Sequence, residues 1–474
     1  SSSIEISKCT FNELSVSDLG CHIYYSYSNS LESTGNNNYA LLVNNCTFSI
    51  NTGSTNGGSI IISILDKEQA GSIDINACTF TGNNENTGCS IYYEFGKSST
   101  LSRTLLEKIK EGENMNYALN VNGCTFNENK ASSFGSSINI LIEKGENLKP
   151  IRINDCEFNL DDQINRPSIN YLFNSALNNA PNINNPSLQV VSCNFTRKGE
   201  TDIMSKKQSY ITLSIKNGEP SGSIEINNCQ FESNKAESGC DIYYDFSSSS
   251  PSSNTGAVNN YALHVTDSKF TNNKATNNGG SIFITISNAE PSKPIEINTC
   301  NFDGNFAFEN DKGSDVAKPE NGGAIYYSFG SISSSKLLLE DNNVESSLRI
   351  IGCTFDNNFA SVGGSIFLSI KDNEPSKQIE ISQCSFNNSF ANDAEGGDIY
   401  YSFDSSSNSS PAKNLLEAGS SSLNINYCNF SGGSSKNYGG SIYIESQNVE
   451  SSRSIEINTC SFSSGSSIEN FDSI

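Results

Sequence analysis

Hydrophobic residues recur along this chain in a short, fixed order. Alternating triplets such as Ile4-Glu5-Ile6, Ile73-Asp74-Ile75, Ile224-Glu225-Ile226, Ile295-Glu296-Ile297 and Ile455-Glu456-Ile457 have the period of two that marks a strand with one buried face. A Cys-x-Phe tripeptide follows, at Cys9, Cys46, Cys78, Cys124, Cys156, Cys193, Cys229, Cys300, Cys353, Cys384, Cys428 and Cys460. Ser268-Lys269-Phe270 makes a thirteenth copy that has lost only the thiol. After the Phe come a turn and a third alternating run that opens on Gly-Gly-Ser-Ile or a variant, as at Gly57, Gly279, Gly363 and Gly439. Ile6 and Cys9 are three apart, so one straight strand cannot point both inward and the chain must bend between them. Asn stands two before the Cys in eight units (Asn44, Asn76, Asn122, Asn154, Asn227, Asn298, Asn426, Asn458) and tolerates left-handed backbone, which predicts the bend there.

The units are spaced 31 to 53 residues apart, and short units alternate with long ones. Inward positions of the third run read Ile242, Tyr244, Phe246 or Ile325, Tyr327, Phe329 in long units, and Ile282, Ile284, Ile286 or Ile366, Leu368, Ile370 in short ones. Stacking such units alternates large and small layers, which fills a narrow core. The pattern predicts an all-β fold: a right-handed parallel β-helix of about 13 coils, three short strands each, forming one domain over residues 1–474 within a longer chain.

Composition narrows the chemistry. Against 29 basic residues stand 52 acidic ones, and the net charge of −23 repels nucleic acid and anionic membrane surfaces. No run of 18 apolar residues is present, and Ser1 to Ile6 has neither a charged nor an apolar leader region, so no membrane insertion by this segment is expected. The Cys-x-Phe cysteines share one inward position and are read as a column of buried thiols, because strand spacing exceeds the roughly 3.8 Å Cβ separation of a disulfide. Cys21, Cys89 and Cys240 replace the second Gly of the Gly-Gly pair. There is no Cys-x-x-Cys, and His22 and His264 are the only histidines, so neither zinc nor any other metal or cofactor is assigned. Asp161-Asp162, with Arg152 and Arg166 near in sequence, is read as a solvated turn, since one acid pair does not make a converging acid and base; no catalytic residue is assigned.

Outward positions carry more. Glu5, Asp74, Glu225, Glu296, Glu380 and Glu456 stand between the isoleucines of alternate coils, with Leu42, Gln189, His264 and Arg349 in coils between, which reads as a solvated face and not a calcium site. After the first Ile of the third run come Tyr24 and Tyr92, and then six successive aromatics: Tyr243, Phe283, Tyr326, Phe367, Tyr400 and Tyr443. That stripe is the candidate binding surface, with stacking along the column as the competing reading. Long loops (residues 26–38, 96–116, 174–185, 247–260, 330–347 and 404–421) leave the same edge of alternate coils as a second candidate, and several carry apolar knots such as Leu337-Leu338-Leu339.

Phe-x-x-Asn (Phe48-Asn51, Phe80-Asn83, Phe126-Asn129, Phe231-Asn234, Phe270-Asn273, Phe302-Asn305, Phe355-Asn358) and Gly322-Gly323-Ala324-Ile325 resemble the repeats of the chlamydial polymorphic outer-membrane proteins and of trichomonad surface-protein families. The resemblance implies an extended surface or secreted passenger, often adhesive. This sequence departs in lacking a C-terminal membrane barrel, and its Ser, Asn and Ile-rich composition is nearer the protist relatives. The expected role is a non-enzymatic, extracellular or cell-surface adhesin or structural rod, binding a protein or glycan partner or self-associating into a filament. An intracellular cytoskeletal or ciliary protein is the alternative, and a polysaccharide-degrading enzyme stands behind both. Asn45, Asn194, Asn387, Asn408 and Asn429 head glycosylation sequons; Asn408, in a Ser-rich loop, is expected to be the most accessible, with Asn45 and Asn194 hidden beside the Cys-x-Phe strand.

Overall fold

The computed structural model describes residues 3–13, 15–16, 21–28, 39–50, 52–53, 58–65, 71–85, 90–96, 117–131, 135–143, 145, 147, 149–161, 166–175, 185–198, 209–248, 261–307, 320–332, 346–372, 375, 377–392, 395–404, 421–447 and 454–467. Among these residues every regular element is a strand, and the strands stack in parallel as a β-helix. The long loops and their Leu knots, Asn408, Cys89, Asp162 and the side chain of Asp161 lie outside the described residues. The chain divides into two compact units: Ser1–Asp202, Tyr210–Gln230 and Ser252–Asn260 form the first, and Ile203–Ser209, Phe231–Pro251 and Tyr261–Ile474 the second.

In the first unit the Ile triplets build one sheet, running from Ile4–Ser7 to Ile224–Asn227. The Cys-x-Phe strands, from Thr10–Asn12 to Asn194–Lys198, build a second sheet, and Cys21–Tyr27 to Ile211–Ile215 a third. The second unit repeats the scheme, with a triplet sheet from Leu263–Thr266 to Ile455–Asn458 and a third sheet from Ile242–Phe246 to Ile442–Gln447. Each coil adds one strand to each sheet in strict register: Phe80 pairs with Phe48 and Phe126, and Tyr327 with Ile284 and Leu368. The turn expected after the Phe holds a short fourth strand in most coils, such as Asn84–Glu85 or Phe306–Ala307.

Register makes the core. Tyr93 and Phe95 lie between Ile62, Ile64 and Ile140, Ile142, so the expected alternation of aromatic and aliphatic layers is present and buried. Each such side chain contributes roughly 1.5 to 3 kcal/mol. The phenylalanines stack face to face, Phe11 through Phe195 at 4.7–4.9 Å in the first unit and Phe231 through Phe462 at 4.6–4.9 Å in the second. Such stacking adds about 0.5 to 1.5 kcal/mol per pair beyond burial.

The first bend lies one residue later than the sequence suggested. The left-handed residue is the one immediately before the Cys, with φ of 50–60° at Lys8, Asn45, Ala77, Gly123, Asp155, Ser192, Asn228, Asp267, Thr299, Gly352, Gln383, Tyr427 and Thr459. Most have a Cβ and are strained there by about 1 to 2 kcal/mol. Stacking holds them, because most of these bend N–H groups donate to the strand-end carbonyl of the next coil, as Lys8 does to Asn44 and Ala77 to Asn122. The conspicuous Asn thus ends the strand and accepts that bond through its backbone.

The second bend lies at the residue before the Asn of Phe-x-x-Asn, whose amide bonds from coil to coil hold it. Asn305 Oδ1 accepts both the N–H and the side-chain amide of Asn273, at 3.1 and 3.0 Å, while Asn305 Nδ2 donates to the Phe270 carbonyl and to Asn358 Oδ1. Asn83 and Asn129 are linked in the same way. The chain then enters the third strand through Gly-Gly. The first glycine has φ of 63–71° at Gly279, Gly322, Gly363, Gly396 and Gly439. At the second glycine there is no room for a Cβ: on Gly323 it would lie 2.1 Å from the Gly364 carbonyl oxygen.

Candidate functional site

Alternation along the third sheet turns Tyr243, Phe283, Tyr326, Phe367, Tyr400 and Tyr443 away from the core, and register stacks them in one column on the second unit. Successive centroids are 5.0, 4.9, 5.3, 4.8 and 5.3 Å apart. The rings are half-buried, and Tyr400 is only 8% exposed. Neighbouring rings cover their faces, and the first glycine of each pair lies against the column, with a Cβ on Gly322 meeting that of Phe367 at 3.3 Å. Stacking along the column is therefore real, and ring edges and phenol oxygens face outward. The equivalent column of the first unit is mixed: Tyr24 is 62% exposed, Ile61 and Tyr92 are buried, and Asn139 accepts a 2.7 Å bond from Asn170.

Carboxylates border the stripe. Burial, and then the charges of Asp245 and Glu237, push the Tyr243 phenol up. At the other end Tyr400 donates to Glu445, and burial followed by Glu445 and Glu395 raises the Tyr443 phenol. These phenols stay protonated donors at neutral pH. On the six strands that carry the stripe the only cation is Lys371, whose strand partner is Asp404.

The acidic column of the triplet sheet is a network. Arg349 bridges Glu296 at 2.8 Å and Glu380 at 3.2 Å, and His264 lies 3.4 Å from Glu296. Burial pushes the Glu296 carboxyl up, but His264 and Arg349 outweigh it and hold the group below its usual range. In the first unit Asn120 donates to Asp74 and Gln189 to Glu225. The intervening coils thus supply donors, correcting the picture of isolated acids on a solvated face. Arg152 is likewise engaged, by Tyr117 and Asn154, and Asp161 ends a strand that continues from Phe158.

No disulfide joins any described cysteine. The thiols stand in the expected inward column. Cys78 Sγ is 3.2 Å from the Asn76 carbonyl and 3.7 Å from that of Val43, and Ser268 makes the equivalent bond to Thr266 at 2.8 Å. Burial pushes Cys156 and Cys193 well above the ordinary thiol range, so they stay protonated. Cys240 is buried in the glycine position beside Ala236 and Ala275. Among the sequons, Asn45, Asn194 and Asn429 are exposed and Asn387 is half-buried. Asn45 and Asn194 are therefore not hidden: Asn45 sits on the outward bend, and Asn194 alternates with the inward Phe195.

Three features escaped the sequence reading. Phe306, Phe359 and Phe390 form a second half-buried aromatic column at 5.8 and 5.5 Å, signalled by the repeated Phe-Ala after the ladder position. Tyr438, Glu395 and Glu445 extend the end of the stripe. Asp241 and Asp398 are fully buried where most coils place Ser before the third strand, a change visible as Gly-Gly-Asp-Ile at residue 396.

Comparison with protein-family models, with curated proteins and with solved structures finds no match to this chain.

Proposed function

We propose that the chain is a non-enzymatic β-helical segment of an extracellular or cell-surface protein, holding a partner against the aromatic stripe of its second unit. The observation that carries this reading is the stripe itself: six outward rings in unbroken succession, bordered by carboxylates. An inward column needs aromatics for volume, whereas these rings stand on the opposite face of the strands from the core. A rigid stack also presents its edges with little entropy left to lose on binding, which favours recognition. Arg152, one of the side chains considered for catalysis, is held by Tyr117 and Asn154. That no disulfide joins the described cysteines favours a second reading, an intracellular structural protein in a reducing compartment.

The test is the double variant Tyr326→Ser, Phe367→Ser, screened beside the unaltered chain against immobilised glycans and peptides. Ligands of the unaltered chain are expected to be lost by the variant, which should still unfold cooperatively at a cost of roughly 1 to 3 kcal/mol for the stacking removed. Equal binding by both proteins would refute the stripe as the contact surface.

A further inference from the structure

The Cys-x-Phe strand has two outward positions, one on each side of the inward Phe, because alternation turns every second side chain away from the core. Where these hold Asn and then Ser or Thr they spell a glycosylation sequon across the strand, as Asn194-Phe195-Thr196 does in the first unit and Asn429-Phe430-Ser431 in the second. Asn45-Cys46-Thr47 spells another from the bend into the strand, with Asn45 at a φ of 53°. All three asparagines are exposed although a coil stacks on either side of each. Asn45 lies between the bends at Lys8 and Ala77, and Asn429 pairs with Ser385 and Ser461. Asn194 pairs with Glu157, and on its other side the Gln230 N–H donates to the Cys193 carbonyl. The backbone N–H groups of Asn194 and Asn429 are bonded into the stack at 2.9 Å, to the carbonyls of Cys156 and Cys384. The side-chain nitrogens are not: among the described residues the Nδ2 of Asn45, Asn194 and Asn429 donates to no other group, and Asn429 is engaged only through Oδ1, by Ser461 at 2.5 Å. Asn387 differs on each count. It is half-buried, its Nδ2 donates to Asp356 Oδ1 at 2.6 Å and to Ser385 at 3.4 Å, and Ser389, the third residue of its sequon, is fully buried against Ser365.

We propose that the outward side of the Cys-x-Phe sheet carries N-linked oligosaccharides on Asn45, Asn194 and Asn429, and none on Asn387. The transfer consumes a free amide. Nδ2 bonds to the anomeric carbon of an oligosaccharide carried on a polyprenyl diphosphate, the bond from that carbon to the diphosphate oxygen breaks, the diphosphate leaves, and one amide proton passes to a base of the transferase. An amide whose protons face solvent loses no protein bond when sugar replaces one of them. At Asn387 the replacement removes a bond to Asp356 or Ser385 and sets the sugar against that side chain. The face itself suits a bulky, solvating group. Not one described residue flanking the inward Phe, from Thr10 to Ser463, is apolar, so sugar covers no hydrophobic contact there. In the second unit Asn429 and the aromatic stripe lie on different sheets, so a glycan screens the polar face and leaves the rings to a partner.

This inference rests on the extracellular reading, and the experiment separates the two claims. The intact chain is secreted from a eukaryotic host and compared with the protein purified from the organism that makes it. Enzymatic release of N-glycans in heavy-oxygen water, followed by peptide mapping, marks each asparagine that carried sugar as a labelled aspartate. In the host-secreted protein Asn45, Asn194 and Asn429 are expected to be occupied in most molecules and Asn387 in almost none. Asn45→Gln, Asn194→Gln and Asn429→Gln should each remove the mass of one glycan and leave the melting temperature of the deglycosylated protein unchanged, whereas Asn387→Gln should remove none. Bare Asn45, Asn194 and Asn429 in the secreted protein, or Asn387 as fully occupied as they are, would overturn the assignment of sites. Occupied sites in the secreted protein but bare ones in the protein from its own cells would leave the geometry standing and overturn the extracellular reading. Occupancy of the same three in both samples supports the two together.

Discussion

The two units are written in one repeat and differ in how faithfully they keep it. In the second, the ladder position after Phe holds Asn234, Asn273, Asn305 and Asn358, then Ser389, whose hydroxyl meets Ser365 at 2.7 Å, and finally Gly433 and Gly465. The second bend is made each time, at Ser233, Asn272, Gly304, Asn357, Asn388, Gly432 and Ser464. In the first unit the bend is present at Glu13, Ile50, Gly82 and Glu128 but missing after Phe158 and Phe195, where Asp161 and Lys198 stand at the ladder position. There the strands run on as Glu157–Asp161 and Asn194–Lys198, and the short fourth sheet ends at Lys130–Ala131. Tyr210 fills the interior instead, 5.4 Å from Phe195 and beneath the Arg197 guanidinium. The outward stripe is broken over these same coils. The stripe is also interrupted at Ile61 and Asn139, in coils that keep the bend, so the bend alone does not set the aromatic column.

Removing a ladder amide is the most severe way to break this regularity. Asn305→Ala deletes the acceptor of two bonds and the donor of two others, all buried. Each polar group left unsatisfied costs about 1 to 3 kcal/mol, so a loss of roughly 3 to 5 kcal/mol is expected in denaturant unfolding, less any water that enters. Asn129→Ala, at the end of the first unit's ladder, should cost less, because the ladder link it severs is to Asn83. Equal losses at the two sites would show that the ladder is not cooperative.

The second contrast is in pH response. Burial pushes the carboxyls of Asp241 and Asp398 well above their usual range, and hydroxyls of Ser281, or of Ser441 and Ser389, offset only part of that. The folded state then holds protons the unfolded chain releases, so their contribution is complete at acid pH and is lost as pH rises through the folded pKa. In the first unit the same column begins with His22, whose pKa burial lowers. Its contribution is present above the unfolded value and lost as pH falls through the folded one. Asp398→Ser, which copies Ser365 and Ser441, should therefore stabilise the protein by about 1 to 3 kcal/mol at pH 8 and less at pH 4. His22→Phe should remove a loss seen only on the acid side. Parallel stability curves for Asp398→Ser and the unaltered chain across that range would contradict the assignment of a buried, protonated acid.

What was legible follows from what repeats. Period-two alternation, the Cys-x-Phe interval and the exchange of Tyr and Ile layers were readable because each column demands one kind of side chain, and register then follows. The left-handed bend was misplaced because its constraint is on backbone: Lys8, Ala77, Asp155 and Tyr427 share a φ and nothing else. Phe-x-x-Asn was visible as a motif, yet its ladder exists only between coils. The candidate surface was legible as a row of aromatics, but the face-to-face contact of its rings depends on register between coils. Arg349 between Glu296 and Glu380 was seen as three outward residues, and only register made it a bridge.

The smallest expected effect concerns the thiol column, where the units differ by one residue. The second unit already carries Ser268 in place of cysteine, donating to Thr266 as Cys193 Sγ does to the Val191 carbonyl at 3.3 Å. If the thiol serves as a small buried donor, Cys193→Ser should cost about 1 kcal/mol or less, while Cys193→Ala, which removes the donor and opens a void, should cost more. Thiol titration of the native protein should meanwhile reach the half-buried Cys9, Cys21 and Cys460 well before the buried column. A Ser variant as damaging as Ala, or a column that reacts as fast as its ends, would mean that sulfur chemistry and not packing keeps cysteine at this position.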